Sequence, residues 1–193
     1  RKVTLHVGVL ISLAISFVPK GEGGLGLASI VFGTPAQAAP AADLYLDFDP
    51  NARRLIATRR GQVFLVREAR NDTVRPGQLG KWGHCPPGWY RVCPVVATGT
   101  SVKFGPFFMR LSDPGKGGPM ARYRRDGIGI HGGGTGLPNA GTAARQGWKP
   151  TLGCIRLQNS DLRALVELVH WTRKGGGTVW IRVGANARVV ARR

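Results

Sequence analysis

Apolar and polar positions alternate where the patterned part of the chain begins. Leu44, Leu46 and Phe48 fall on one side and Tyr45 and Asp47 on the other, the period of a half-buried strand. Strand-like runs follow at residues 55–58 and 62–66 around a turn at Arg60-Gly61, so this region predicts a β-meander. Residues 69–84, with Pro76, Gly77, Gly80 and Gly83, read as loop. A turn at Cys85-Pro86-Pro87-Gly88 leads into an aromatic strand, Trp89-Tyr90-Arg91-Val92, and residues 94–97 and 104–111 predict two more strands. Residues 113–118 are turn-rich, 127–131 form a short strand ending in His131, and 132–150 are polar and Gly-rich. The period then changes. Leu162, Leu165, Val166, Leu168, Val169 and Trp171 recur at helical spacing, with Asn159 or Ser160 as N-cap, Asp161 in the first turn and Gly175-Gly176-Gly177 as the stop. Residues 178–183 predict a last strand. The pattern describes a mostly β protein, two packed mixed sheets in a β-sandwich, with one substantial helix after Cys154.

Residues 1–38 do not belong to this pattern. Arg1 and Lys2 precede an apolar run at 3–18, a second apolar patch lies at 25–32, and Ala36-Gln37-Ala38 has the form of a cleavage site. A basic start, an apolar stretch and a small-x-small site predict a secretory signal peptide cut after Ala38. An uncleaved anchor is the other reading, but the 3–18 run is short for a bilayer and contains His6. Residues 39–43 then form a linker, 44–184 the folded domain, and 185–193 a basic tail.

Composition changes the picture in two ways. A formal charge of +18 implies an anionic partner or surroundings, or else a solubilising surface. Only Arg1, Lys2, Lys20 and Glu22 lie before residue 39, so the basic character belongs to the domain. Three cysteines, Cys85, Cys93 and Cys154, allow one disulfide and leave one thiol over. Cys85 and Cys93 either pair across a local bend or sit as small buried hydrophobes.

Cys154 is the cysteine with chemistry around it. An apolar strand brings His131 into a flexible loop, and the chain returns through Thr151-Leu152-Gly153-Cys154-Ile155-Arg156, the arrangement that assembles a Cys-His pair. A neighbouring imidazole, Arg156 and a helix start would all favour the thiolate. Gly153 before Cys154 suits backbone N–H groups turned to a substrate carbonyl. The Gly-rich 132–150 segment lacks the Lys-Ser/Thr of a phosphate loop and reads as a mobile lid or a flexible substrate-binding loop, with Trp148 as an aromatic wall or an anchor. The basic cluster Arg122, Arg124, Arg125 before the histidine strand either meets substrate carboxylates or is a solvated loop. His84 beside Cys85 reads as a bystander, and no metal-ligand spacing is present.

Ile130-His131-Gly132, a loop, then Thr151-x-Gly153-Cys154-Ile155-Arg156-Leu157-x-Asn159-x-Asp161 resembles the signature of the L,D-transpeptidase (YkuD-type) catalytic domain. The turn at 85–90 and the Phe104–Phe108 run resemble family elements too, with Cys85 where threonine is usual, Leu152 where many members carry histidine, and a somewhat long loop before Cys154. The resemblance implies a peptidoglycan L,D-transpeptidase without cofactor or metal, exported to the periplasm or cell wall. It would take an acyl group from a tetrapeptide stem onto cysteine with release of D-Ala and pass it to an amine, giving third-to-third-residue crosslinks or protein attachment. Cys154 would be the nucleophile, His131 the general base and acid, Gly153 an oxyanion donor, and Arg156 a partner of the thiolate or of a substrate carboxylate. Gly132, Thr151, Arg124, Arg125 and Trp148 would line the substrate. The group orienting His131 is not identifiable, with Asp126 a candidate only by proximity. The implied partners are stem peptides and anionic wall polymers, with no nucleic acid and no membrane span after cleavage, and the enzyme would be a monomer. Hydrolysis of wall peptides by the same acyl-enzyme, or a non-catalytic cationic wall-binding module, are the competing readings.

Overall fold

The computed structural model describes residues 43–185, so the expected signal peptide, the linker other than Asp43 and the basic tail other than Ala185 lie outside the described residues. Among the described residues eight strands and two helices follow in order as β1 Leu44–Asp49, β2 Arg54–Arg59, β3 Gln62–Glu68, β4 Gly88–Ser101, β5 Gly105–Ser112, α1 Pro119–Arg122, β6 Gly129–His131, β7 Ile155–Arg156, α2 Asn159–Lys174 and β8 Val179–Val183. The mostly β, mixed-sheet architecture with one substantial helix after Cys154 is as expected. Hydrogen bonding joins the strands in one order, β3-β2-β1-β8-β4-β5-β6-β7, rather than in two separate sheets.

The meander forms where the alternation placed it. Leu44, Leu46 and Phe48 of β1 and Leu55 and Ala57 of β2 are fully buried. The β2–β3 hairpin closes through Arg60 (φ 48°) and Gly61 (φ 79°), between the paired Arg59 and Gln62. Both central residues at positive φ give a two-residue turn whose twist matches the strands. The last strand, β8, enters the middle of the sheet, parallel to β1 and antiparallel to β4.

β4 joins the two halves. Its first residues pair with β8 and the rest with β5, so the two expected strands at 89–92 and 94–97 are one. The register shifts between Val92 and Val95, where Pro94 lacks the N–H a regular ladder needs. Helix α2 packs on β5 and β8 and buries Leu162, Leu165, Val166 and Val169, residues of one helical face. They join Tyr90, Met109, Leu111, Ile130 and Ile181 in a single core cluster. One short helix was missed: the Asp113 carboxylate accepts the N–H groups of Met120 (2.9 Å) and Ala121 (2.9 Å), capping α1 just after the turn-rich 113–118 segment.

Candidate active site

Two very short strands position the candidate site. β6 pairs antiparallel with β5, Phe108 opposite His131, and parallel with β7, Ile130 opposite Ile155 and His131 opposite Arg156. This pairing sets the residue before β7, Cys154, beside the end of the histidine strand. Cys154, His131 and Arg156 all line one cavity of about 620 Å³.

His131 is 3% exposed, with the Phe104 ring edge-on at 5.3 Å and the Phe108 ring at 6.0 Å. Its Nδ1 lies 2.6 Å from the Gly132 carbonyl oxygen. A carbonyl only accepts, so Nδ1 carries the proton and Nε2 keeps the lone pair. The group orienting the ring is therefore a backbone carbonyl; Asp126 lines the cavity but makes no hydrogen bond to His131. Burial, then the Arg156 charge, lowers the imidazole to about 4, with Lys103 adding to the effect and the Gly132 bond opposing it. The ring is a neutral base at neutral pH.

Cys154 is 9% exposed. Burial raises its thiol above the ordinary value, against a Gly129 backbone hydrogen bond and the charges of Arg156, Arg125 and Lys103, which all lower it. The positive field expected from the sequence exists, and burial outweighs it. Thiol and imidazole are both neutral at rest.

The turn carrying Cys154 is fixed by side chains. Gly153 adopts φ +110°, and a Cβ there would meet the Arg125 guanidinium and the Gly83 carbonyl, so only glycine fits. Its N–H donates to the Thr151 hydroxyl (3.1 Å), which in turn donates to the Cys154 carbonyl (2.8 Å). The Gly153 N–H is thus engaged within the turn, whereas the N–H of Cys154 has no acceptor among the described residues. Asn71, buried and far away in sequence, donates from Nδ2 to the carbonyls of Gly153 (2.7 Å) and Cys154 (3.0 Å) and accepts the N–H of Cys85 (2.9 Å) at Oδ1. His84 donates from Nδ1 to the Asn71 carbonyl (2.9 Å), a supporting contact behind the turn.

The remaining expected site residues divide. Arg124 is exposed on the cavity and makes no ion pair or side-chain hydrogen bond among the described residues. Arg125 also lines the cavity, but its guanidinium donates to the carbonyls of Leu79 (3.0 Å), Gly80 (2.5 Å), Gly83 (3.1 Å), His84 (3.2 Å) and Leu152 (2.7 Å). It staples the 79–84 loop to the Cys154 turn. Arg156 is 4% exposed; Nη1 donates to the Gly133 carbonyl, while Nε has no partner. Thr151 faces the cavity with its hydroxyl engaged, and Gly132 has both backbone groups engaged, its N–H with Phe104 (2.9 Å) and its carbonyl with His131. Trp148 stands outside the cavity with Arg70 stacked on it at 4.4 Å. The cavity aromatics are Trp82 and Phe104, which the sequence reading had not assigned to it.

Two further expectations are corrected, and one left open is answered. The 132–150 segment is fastened rather than lid-like: Asn159 donates to Ala140 (2.9 Å) and Ala143 (2.7 Å) and accepts from Gly133 (2.9 Å), and at its far end Gln158 accepts the Gln146 N–H (2.9 Å) and donates to the Gly147 carbonyl (3.2 Å). Asn159 is thereby unavailable as the helix cap, and the N-cap residue is Gln158, without a side-chain bond. Cys85 and Cys93 are free thiols.

A mostly β scaffold that converges a thiol, an oriented neutral imidazole and a cationic cavity defines a site equipped for acyl transfer. The model of the YkuD family, the L,D-transpeptidase catalytic domain, matches residues 43–187, and the chain belongs to that family. No curated protein matches the sequence. Among solved structures the chain is similar to an L,D-transpeptidase from Stackebrandtia nassauensis, at 18% identity and TM-score 0.49, over 79% of this chain and 60% of that one. It is likewise similar to the helical cell shape determining protein Pgp2 from Campylobacter jejuni, at 18% identity and TM-score 0.48, over 74% of this chain and 48% of that one. L,D-transpeptidase 1 of Mycobacterium tuberculosis matches at 12% identity and TM-score 0.45, over 75% of this chain and 63% of that one. The chain thus spans less than two thirds of each. No helix among the described residues is long and apolar enough to cross a membrane.

Proposed function

We propose that this chain is an exported peptidoglycan L,D-transpeptidase that transfers a tetrapeptide stem from D-Ala to an amine. The observation carrying the reading is that Cys154 and His131 open onto one cavity while the Gly132 carbonyl holds the ring with Nε2 unprotonated. The Sγ of Cys154 attacks the carbonyl between the third residue and D-Ala as His131 Nε2 takes the thiol proton. A neutral pair favours this concerted step, because neither charge has to exist beforehand in a buried site. The Cys154 N–H, without an acceptor among the described residues, serves as a donor for the oxyanion. Collapse breaks the amide, His131 returns the proton to the departing amine of D-Ala, and a thioester remains. An acceptor amine, deprotonated by His131, then forms the new amide and restores the thiol. The signal-like residues 1–38 and the net charge of +18 support export to an anionic wall in the periplasm or beyond.

The test is the intact mass of the protein after incubation with a carbapenem, beside Cys154→Ala and His131→Ala. An adduct that disappears in Cys154→Ala and forms far more slowly in His131→Ala is the expected result. A folded protein with reduced Cys154 and no adduct would sink the reading. Product analysis with and without an added amine then separates transfer from hydrolysis.

A further inference from the structure

Six cationic side chains, Lys81, Lys103, Arg124, Arg125, Lys149 and Arg156, line the cavity, against one acid, Asp126. They come from five separate stretches of chain: the 69–87 loop, the β4–β5 turn, the segment after α1, the 132–150 segment and β7. Every ion pair among the described residues lies elsewhere, in Arg53–Asp72, Arg67–Asp161, the Arg70 pairs with Glu68 and Asp72, and Arg182–Asp47. Lys81 and Lys103 rest over the rings of Trp82 (5.0 Å) and Phe104 (4.8 Å), contacts that hold an ammonium without neutralising it.

Solubility accounts for exposed charge, and Lys81, Lys103, Arg124 and Lys149 alone would satisfy that explanation. It does not account for Arg156. The residue is 4% exposed, and its guanidinium has a carbonyl as its one hydrogen-bond partner, leaves Nε unsatisfied and has no carboxylate beside it. A buried cation without a counter-charge is costly, and an anion arriving with a ligand relieves that cost. The exposed cations around the opening add a field that draws the same kind of ligand inward.

Resting on the acyl-transfer reading, we infer that the cavity recognises the stem peptide as a polyanion through its free carboxylates, and that a stem whose carboxylates are converted to primary amides is a poor ligand and substrate. Arg156 serves the carboxylate that reaches deepest. Lys81, Arg124 and Lys149 serve those nearer solvent, so their share weakens with salt while that of Arg156 persists. An amide is isosteric with a carboxylate but carries no charge and presents N–H donors to a wall of donors, so each conversion both loses attraction and adds a mismatch.

The experiment uses the full chain and synthetic tetrapeptide stems with free, singly amidated and fully amidated carboxylates. Binding to Cys154→Ala is measured by calorimetry at about 50 and about 300 mM salt, and kcat/KM is measured on the unmodified protein. Each amidation is expected to weaken binding and kcat/KM by about 10- to 100-fold, with a smaller factor at high salt. Lys149→Gln and Arg124→Gln each shrink the free-to-amidated ratio by about 3-fold, whereas Arg54→Gln, the same charge change outside the cavity, leaves the ratio unchanged. Equal binding of free and amidated stems to Cys154→Ala overturns the inference, and so does an equal loss of preference in Arg54→Gln. Because binding is read without chemistry, these outcomes are separate from the acyl-transfer reading, which stands or falls on the Cys154 adduct.

Discussion

Cys85 and Cys154 are both buried, unbridged thiols, and their surroundings differ in what opposes burial. Cys85 belongs to the hydrophobic core, where burial pushes its thiol up to about 12. A hydrogen bond with Tyr90 and the Arg125 charge pull it down, but Cys154 and Asp113 push it further up. Cys154 is also raised by burial, yet each of its charged neighbours, Arg156, Arg125 and Lys103, lowers it, and it borders a cavity. Exposure hardly separates the two, at 3% and 9%. The surrounding charge and the open space separate them, and both can be altered one residue at a time.

The largest effect is expected from removing the buried charge. Arg156→Met takes away the cation that most lowers the Cys154 thiol and should slow acylation by about 100-fold or more, while raising the apparent thiol pKa in the pH profile of alkylation. A variant that folds, alkylates with an unchanged profile and acylates normally would reduce Arg156 to a structural role and erase the contrast with Cys85.

Next comes the turn that aims the thiol. Asn71→Ala leaves the Gly153 carbonyl and the Cys85 N–H without their partners and removes one of two donors to the Cys154 carbonyl. Stability should fall by about 2–4 kcal/mol and acylation by about 10- to 100-fold, read by urea melts and intact-mass kinetics. Unchanged acylation in the folded variant would mean that Thr151 alone suffices to hold the turn.

Asn71 also marks where sequence reasoning stops. The meander, the last strand and the apolar face of α2 were legible because burial on a sheet or helix leaves a period in the residues themselves. Cys154 and His131 were legible through a motif. Asn71 acts on residues about eighty positions away through side-chain-to-backbone bonds, which leave no period and follow no spacing rule. The fastening of the 132–150 segment by Gln146, Gln158 and Asn159 is hidden for the same reason, and a Gly-rich stretch then looks mobile. The merged β4 was split at Pro94 because proline reads as a strand end unless a bulge accommodates it. Trp148 and Trp82 could not be told apart, since which indole reaches the cavity depends on the loops around it.

Acid offers a test with a moderate effect. His131 takes up its proton near pH 4 in the native state, against an ordinary value of 6.5. Between those values the unfolded chain binds a proton that the folded one does not, so stability rises with pH. It is fully present above 6.5 and lost as pH falls towards 4, by on the order of 3 kcal/mol. Urea melts from about pH 7 to about pH 4.5 should show this slope, and His131→Asn should flatten it. His84, also lowered by burial, contributes a residual slope of the same sign. The same neutrality should keep kcat/KM level well below 6.5 before its acid limb falls. A limb centred at the ordinary value would show that the imidazole is far more hydrated than its 3% exposure suggests.

The smallest effect on chemistry belongs to the other thiol. Cys85→Ala removes one sulfur from the core and its hydrogen bond with Tyr90, whose hydroxyl keeps its 2.6 Å bond to the Pro86 carbonyl. The expected cost is about 1–2 kcal/mol of stability, because the cavity left behind is small and no buried polar group loses its last partner. Acylation of Cys154 should stay within about twofold of the unmodified protein, since burial keeps Cys85 a neutral thiol that lends no charge to Cys154. Intact-mass kinetics on this variant therefore isolate the contrast. If acylation slowed tenfold or more at unchanged stability, Cys85 would have to act on Cys154 through the Asn71 contact that links its N–H to the turn, and the two thiols would form one coupled unit rather than a core residue and a reactive one.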